Sequence, residues 1–170
     1  AMTYDYKGNV TSRRDHNGNT TTFAYNLQGD LIKTTYADST YEEITRDAEG
    51  NITKRRDQCG NYKFYVYDAA GQMVREVDDD GTTPGQIDDT DSYVQYTYNE
   101  RGQILFKRDK RGNVLEHVYD DGGRLVKDID ALSNFTLAEY DANGNATKRT
   151  DAEGKVSTFT YDACNRLFTT

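Results

Sequence analysis

The sequence predicts an all-β protein, a curved antiparallel meander of about fifteen short strands built from 21-residue repeats. Three observations predict it. Gly8, Gly29, Gly50 and Gly71 stand 21 residues apart; Gly102, Gly123 and Gly144 resume that spacing, and Asn165 takes the next slot. A second series lies ten residues later, at Gly18, Ser39, Gly60 and Gly81, then Gly112, Ser133 and Gly154. Between these marks lie five or six residues rich in β-branched and aromatic side chains, the usual length and chemistry of a strand, and no segment has helical periodicity.

The turns come first. Each repeat holds two of the form Asp/Asn-x-x-Gly-polar. Asp or Asn bonds back to the following amides, two residues follow a type I path, and glycine takes the left-handed conformation that closes a bulged hairpin. Asn and Ser in some glycine slots are tolerable, Asn more readily. The strands follow. Four residues before the first glycine series stand Tyr4, Tyr25, Tyr67, Tyr98, Tyr119, Tyr140 and Tyr161, with Arg46 the exception. Two past the glycine runs an apolar column: Val10, Leu31, Ile52, Met73, Ile104, Leu125, Ala146 and Leu167. Alternation places Phe23 with Tyr25, Tyr65 with Tyr67, Tyr96 with Tyr98, His117 with Tyr119 and Phe159 with Tyr161 on one aromatic face, the candidate for packing. The opposite face is mixed (Ala24, Val66, Thr97, Val118, Glu139, Thr160), and return strands such as Lys54-Arg55-Arg56 are more polar, so at least one side is wetted. So wide an open sheet is expected to curl.

Composition narrows the function classes. Of the residues, 35% are apolar, and mean hydropathy is −0.95, low for a thick core. Yet 14 Tyr and 6 Phe are too many for a disordered polymer. A net charge of −8, with no basic cluster, argues against nucleic acid. No apolar run approaches the roughly 18 residues of a membrane-spanning helix, and no signal peptide opens the chain. Ala1-Met2 reads as an added start ahead of an internal piece, so the expectation is a single repeat array over 1–170, cut from a longer protein.

The pattern Tyr-Asp-x-x-Gly-Asn/Arg/Gln-apolar stands as Tyr4-Asp5-Tyr6-Lys7-Gly8-Asn9-Val10, as Tyr67-Asp68-Ala69-Ala70-Gly71-Gln72-Met73 and as Tyr119-Asp120-Asp121-Gly122-Gly123-Arg124-Leu125. It closely resembles the YD-repeat family, also called Rhs repeats, over nearly the whole chain outside residues 82–92. The resemblance implies a secreted or cell-surface bacterial protein whose repeats form a β-shell around a toxin or other cargo, as in polymorphic toxins and insecticidal toxin complexes. Related arrays act in surface adhesion. The self-cleaving segment that follows the repeats in toxin members, rich in Pro, Asp and Gly, has no counterpart here. Expected partners are neighbouring repeats and an enclosed cargo domain, with self-association through edge strands near Val10 and Leu167. A carbohydrate-binding adhesion module is the alternative, with a glycan stacked on exposed aromatics.

Candidate chemistry is sparse. Ten residues are inserted at one turn, interrupting the repeat at about 82–92, and Asp78, Asp79, Asp80, Asp88, Asp89 and Asp91 crowd there. Oxygen ligation of calcium is conceivable, but the spacing is not that of an EF-hand, and a solvated acidic loop is the expectation. His16 and His117 lack Cys or His partners at zinc-ligand spacing. Cys59 and Cys164 fall in opposite turn series, a strand length of roughly 17–20 Å apart, beyond the ~7 Å between Cα atoms that a disulfide spans, so free thiols are expected. No nucleophilic elbow, Walker loop or dinucleotide fingerprint appears. The expectation is a chain without catalytic residues, metal or cofactor.

Overall fold

A computed structural model describes residues 1–169. The chain divides into two compact units, Ala1–Tyr93 and Val94–Thr170. In the first, β1 (Met2–Tyr4), β2 (Val10–Arg14), β3 (Thr20–Tyr25), β4 (Leu31–Thr35), β5 (Tyr41–Arg46), β6 (Ile52–Arg56), β7 (Tyr62–Tyr67) and β8 (Met73–Asp78) pair antiparallel in chain order. β9 (Ser92–Tyr98) starts at the boundary. β10 (Ile104–Arg108), β11 (Val114–Tyr119), β12 (Leu125–Ile129), β13 (Phe135–Tyr140), β14 (Ala146–Thr150) and β15 (Val156–Thr158) continue the meander in the second unit. The expected antiparallel meander is present, with fifteen strands and no helix among the described residues. One difference lies near its end, where the limb 156–161 is split at Phe159. Its first half, β15, pairs with β14, and its second, β16 (Thr160–Tyr161), forms a separate hairpin with β17 (Leu167–Thr169). The Phe159 amide still donates to the Thr147 carbonyl at 2.8 Å.

The turns are built as their sequence requires. At Asp5 the amide of Gly8 donates to the aspartate carbonyl at 3.1 Å, and the Asp5 amide donates to Asn9 O at 2.9 Å. One carboxylate oxygen accepts from the Lys7 and Asn9 amides at 2.9 Å, and the other accepts from the Asn9 side chain. The same bonds recur down the chain, as at Asp109 and Asp130. Left-handed backbone marks the glycine slots, and the three substitutes comply, with φ of 70° at Ser39, 67° at Ser133 and 59° at Asn165.

The two hairpin series differ in one respect. Hairpins around the first turns carry a register shift next to the tyrosine column, at Ala24/Tyr25, Val66/Tyr67, Val118/Tyr119 and Glu139/Tyr140. Hairpins around the second turns are regular. A bulge re-aims the side chain beside it. Here it throws the tyrosine toward the preceding hairpin.

A single sheet layer buries little. Among the described residues only Phe64 (6% exposed) and Val77 (1%) are buried apolar side chains. They face each other across β7 and β8, in the unit whose loop folds back over the strand start. In β3 the aromatic face is the better covered, with Thr21, Phe23 and Tyr25 half-buried and Thr20, Thr22 and Ala24 exposed, whereas Phe64 and Val77 are buried on the opposite face, the one that carries Val66. The opposite face has order of its own. Lys33 lies 3.9 Å from the ring centre of Tyr41, Lys54 5.5 Å from Tyr62, Arg75 4.6 Å from Tyr93 and Lys127 4.6 Å from Phe135. Each is a cation reaching across a second turn to an aromatic side chain, an attraction worth about 0.5–1 kcal/mol at exposed sites.

Candidate functional site: the tyrosine-capped edge and the acidic loop

Pairing between successive hairpins stops short of the first-turn edge. β2 and β3 separate after Ser12↔Thr22, β6 and β7 after Lys54↔Phe64, and β12 and β13 after Lys127↔Leu137. Two residues further on, a carbonyl in each wedge accepts from a tyrosine hydroxyl fifteen residues later in the chain. Tyr25 caps Val10 at 2.9 Å, Tyr67 caps Ile52 at 3.0 Å and Tyr119 caps Ile104 at 3.1 Å. Tyr140 caps Leu125 and Tyr161 caps Ala146, both at 3.0 Å. The tyrosine and apolar columns are thus two ends of one device, which satisfies a carbonyl the sheet leaves unpaired and ties each repeat to the last. Burial, then the nearby Asp47 charge, pushes the Tyr67 hydroxyl pKa up.

Arg46 breaks the series. Its Nη1 turns forward to Gly50 O at 2.9 Å, and its Nε is enclosed without a partner.

The inserted segment runs from Asp79 to Asp91 and is folded tightly on itself. Oxygens of Asp79, Asp80 and Asp91 lie within 4.8 Å of one another, the one grouping among the described residues with the proximity a metal ion requires. The loop's own donors already serve them. Asp91, 7% exposed, accepts from the amides of Asp80 and Asp88 at 2.9 and 3.0 Å. Asp79 accepts from Gly81 and Gly85, both at 2.7 Å, and Asp80 accepts from the Thr82 amide and hydroxyl. Asp88, bonded to the hydroxyls of Thr83, Thr90 and Thr82, has its pKa strongly lowered by them. Gly85 rests on the Tyr62 ring, where an added Cβ would lie 3.3 Å from it.

His16 lies in the turn between β2 and β3. His117 Nδ1 is 3.0 Å from Asp128 Oδ1 but enclosed without hydrogen-bond alignment, so the pair is one of proximity. Cys59 and Cys164 are free and exposed. No helix among the described residues is long and apolar enough to cross a membrane.

Residues 4–41 and 140–170 match the model of the RHS Repeat family, and the same turn bonds and tyrosine caps recur between the matched ends. Those two segments carry the RHS Repeat pattern. No curated protein matches it by sequence. Solved structures match by fold. The crystal structure of TcdB2-TccC3 without its hypervariable C-terminal region aligns with a TM-score of 0.68 at 15% identity, over 98% of this chain. TcdB2-TccC3 itself aligns at 0.66 and 20% identity over 94%, and a Photorhabdus luminescens Tc holotoxin pore at 0.58 and 16% over 98%. This chain spans only 10–12% of those chains. It is a structural repeat segment with the fold seen in these toxin structures.

The charges of the array's turns give it a pH dependence of known sign. The Asn145 side-chain amide, joined by the backbone amides of Asn145 and Asn143, holds the Asp141 pKa below the ordinary 3.8. A carboxylate depressed on folding stabilises fully above its unfolded value, and that contribution disappears as pH falls through the folded value. Asn can serve the same turn, since Asn26 accepts from the amides of Gly29 and Asp30 at 2.9 and 2.8 Å. Asp141→Asn is therefore expected to change stability little at neutral pH and to make the loss below pH 3.8 shallower. Denaturant melts from pH 7 to 2 test this; an unchanged acid slope would count against it.

Sequence reasoning located the tyrosine column without its acceptor and missed the cation–π series. The signal was present: Lys33, Lys54, Arg75 and Lys127 stand four residues after the first-series glycines, with Tyr41, Tyr62 and Phe135 eight residues later. The insertion displaces Tyr93 from that spacing.

Proposed function

We propose that this RHS array is a stretch of wall: a load-carrying segment of a larger β-shell that encloses a toxin or other cargo in a secreted bacterial protein, with no catalytic chemistry of its own. The observation that carries the reading is the tyrosine-to-carbonyl cap, repeated across the array. It is a distributed mechanical tie, made by five of the column tyrosines and residing in no single place. The fold shared with the Tc toxin structures supports it. An adhesion module needs a local site that departs from the repeat, and five of the column tyrosines spend their hydroxyls inside the array.

The test uses the full-length protein that carries the segment. Cargo beside the intact array should resist protease until the wall is unfolded, then be digested at the rate of free cargo. Digestion of both at one rate from the start would remove encapsulation and advance adhesion.

A further inference from the structure

The sheet face that carries Val66 and Val118 is covered in one unit and bare in the other. In the unit 1–93 the inserted loop folds over it: Gly85 rests on the Tyr62 ring, and Phe64 and Val77 on the same face are buried. The unit 94–170 has no such insertion. There the same face is a run of apolar side chains, Phe106, Val114, Val118, Phe135, Leu137 and Val156, each 36–50% exposed. Strand register holds them together. Phe106 stands opposite Glu116, Glu116 opposite Ile129 and Ile129 opposite Phe135, with Val118, Lys127 and Leu137 in the adjacent row. Strands β10 to β15, at ~4.8 Å spacing, make a face of roughly 24 by 17 Å, about 400 Å². A contiguous apolar patch of that size on a sheet marks a contact surface.

We propose that this face docks on the same face of a second copy of the chain, two sheets stacked about a two-fold axis. Charge is what selects a second copy over another apolar surface. Glu116 and Lys127 stand in adjacent strands inside the patch, both half-buried. Among the described residues Glu116 has no cation or hydrogen-bond donor, and Lys127 has only the Phe135 ring, 4.6 Å away. An isologous contact pairs residue i with j and j with i. A two-fold axis passing between these two residues sets each Glu116 against the other copy's Lys127, so one unpaired anion and one unpaired cation are satisfied twice. The rim needs no partner, since Lys148 already meets Glu139 at 2.7 Å. Net charge permits the approach: residues 94–170 hold 11 Lys and Arg against 12 Asp and Glu, a net of −1, whereas residues 1–93 hold 10 against 17, a net of −7. Burying about 800 Å² in total falls short of the ~1,200 Å² at which stable interfaces begin, so the dimer is a weak one. The inference does not rest on the wall reading.

Sedimentation of the chain from about 10 μM to about 1 mM tests this, and a monomer–dimer equilibrium is expected across that range. Methyl resonances of Val118 and Leu137 should shift as concentration rises, while those of Val77, buried in the other unit, should not. Glu116→Lys and Lys127→Glu each set like charges against one another across the axis and should weaken the dimer roughly tenfold or more. The double variant restores both pairs with their signs exchanged and should recover the original dimerisation. Circular dichroism and thermal melts confirm that every variant is folded. Association through the edge strands would be the same in all four proteins. A chain still monomeric at the highest concentration, a dimer unchanged in both single variants, or a double variant as weak as the singles would each overturn the proposal.

Discussion

Replacing Phe64 with alanine is expected to destabilise the unit 1–93 by about 3–5 kcal/mol, the usual cost of truncating a buried phenylalanine. Few sites in this chain can cost so much, because a one-layer sheet has almost no interior. Phe64 and Val77 are its buried apolar pair, and the Phe64 ring stacks on Tyr62 with centroids 6.4 Å apart. Tyr62 in turn carries Gly85, so removing the ring also undermines the seat of the acidic loop. Against a total stability of about 5–15 kcal/mol for an ordinary domain, the loss is a large fraction. Denaturant titration read separately in each unit provides the check. Phe168→Ala, at a position 80% exposed, serves as the control and should stay within about 0.5 kcal/mol. Equal effects of the two substitutions would mean that the loop-covered pair is no core.

The second large effect is one of register. Deleting residues 30–50 removes one whole repeat and joins Gly29 to Asn51, so β3 meets β6 through an unchanged first turn. Tyr67 keeps its acceptor at Ile52. Such an array should stay cooperative and lose about one repeat's contribution, since repeat stabilities add through neighbouring interfaces. Deleting residues 30–39 instead removes a single limb and joins β3 to β5 across the same turn. Both are outgoing strands. The bulge that opposes Tyr25 to the return strand is lost, and every later first turn moves to the other edge. This shorter deletion should lower the melting midpoint more than the longer one. Comparable midpoints would contradict the tie between repeats on which the shell reading depends.

The fit between sequence and fold is uneven in an instructive way. The turns were fully legible, because their chemistry is local. An aspartate that bonds its own following amides, and a residue at positive φ three places on, can be read from five consecutive letters; Ser133 and Asn165 obey, while the Ser39 turn keeps the positive φ but opens on Tyr36 and takes its carboxylate from Asp38. The limb 156–161 was legible as a strand but not as a broken one. Its split at Phe159 depends on which neighbour each half pairs with. The tyrosine column was visible as a column, but its purpose was not, because the acceptor lies fifteen residues back in a strand that the sequence places only by inference.

By itself, the sequence determined everything that depends on short-range bonding: the 21-residue period, the hairpin edges, the strand lengths and the resemblance to RHS repeats. Only the tertiary structure decided what those columns do. It showed that successive hairpins part at one edge and leave a carbonyl there, which five of the column tyrosines cap. It showed that the cations of the other face are held by rings across the turn, and that the aspartates of the insertion are spent on their own loop. It also turned Arg46 from an irregular letter into a side chain that bonds forward to Gly50 O in its own turn. The physical reason is that turn geometry is fixed by adjacent residues, whereas a hydroxyl or a cation acquires meaning from the strand that comes to lie beside it.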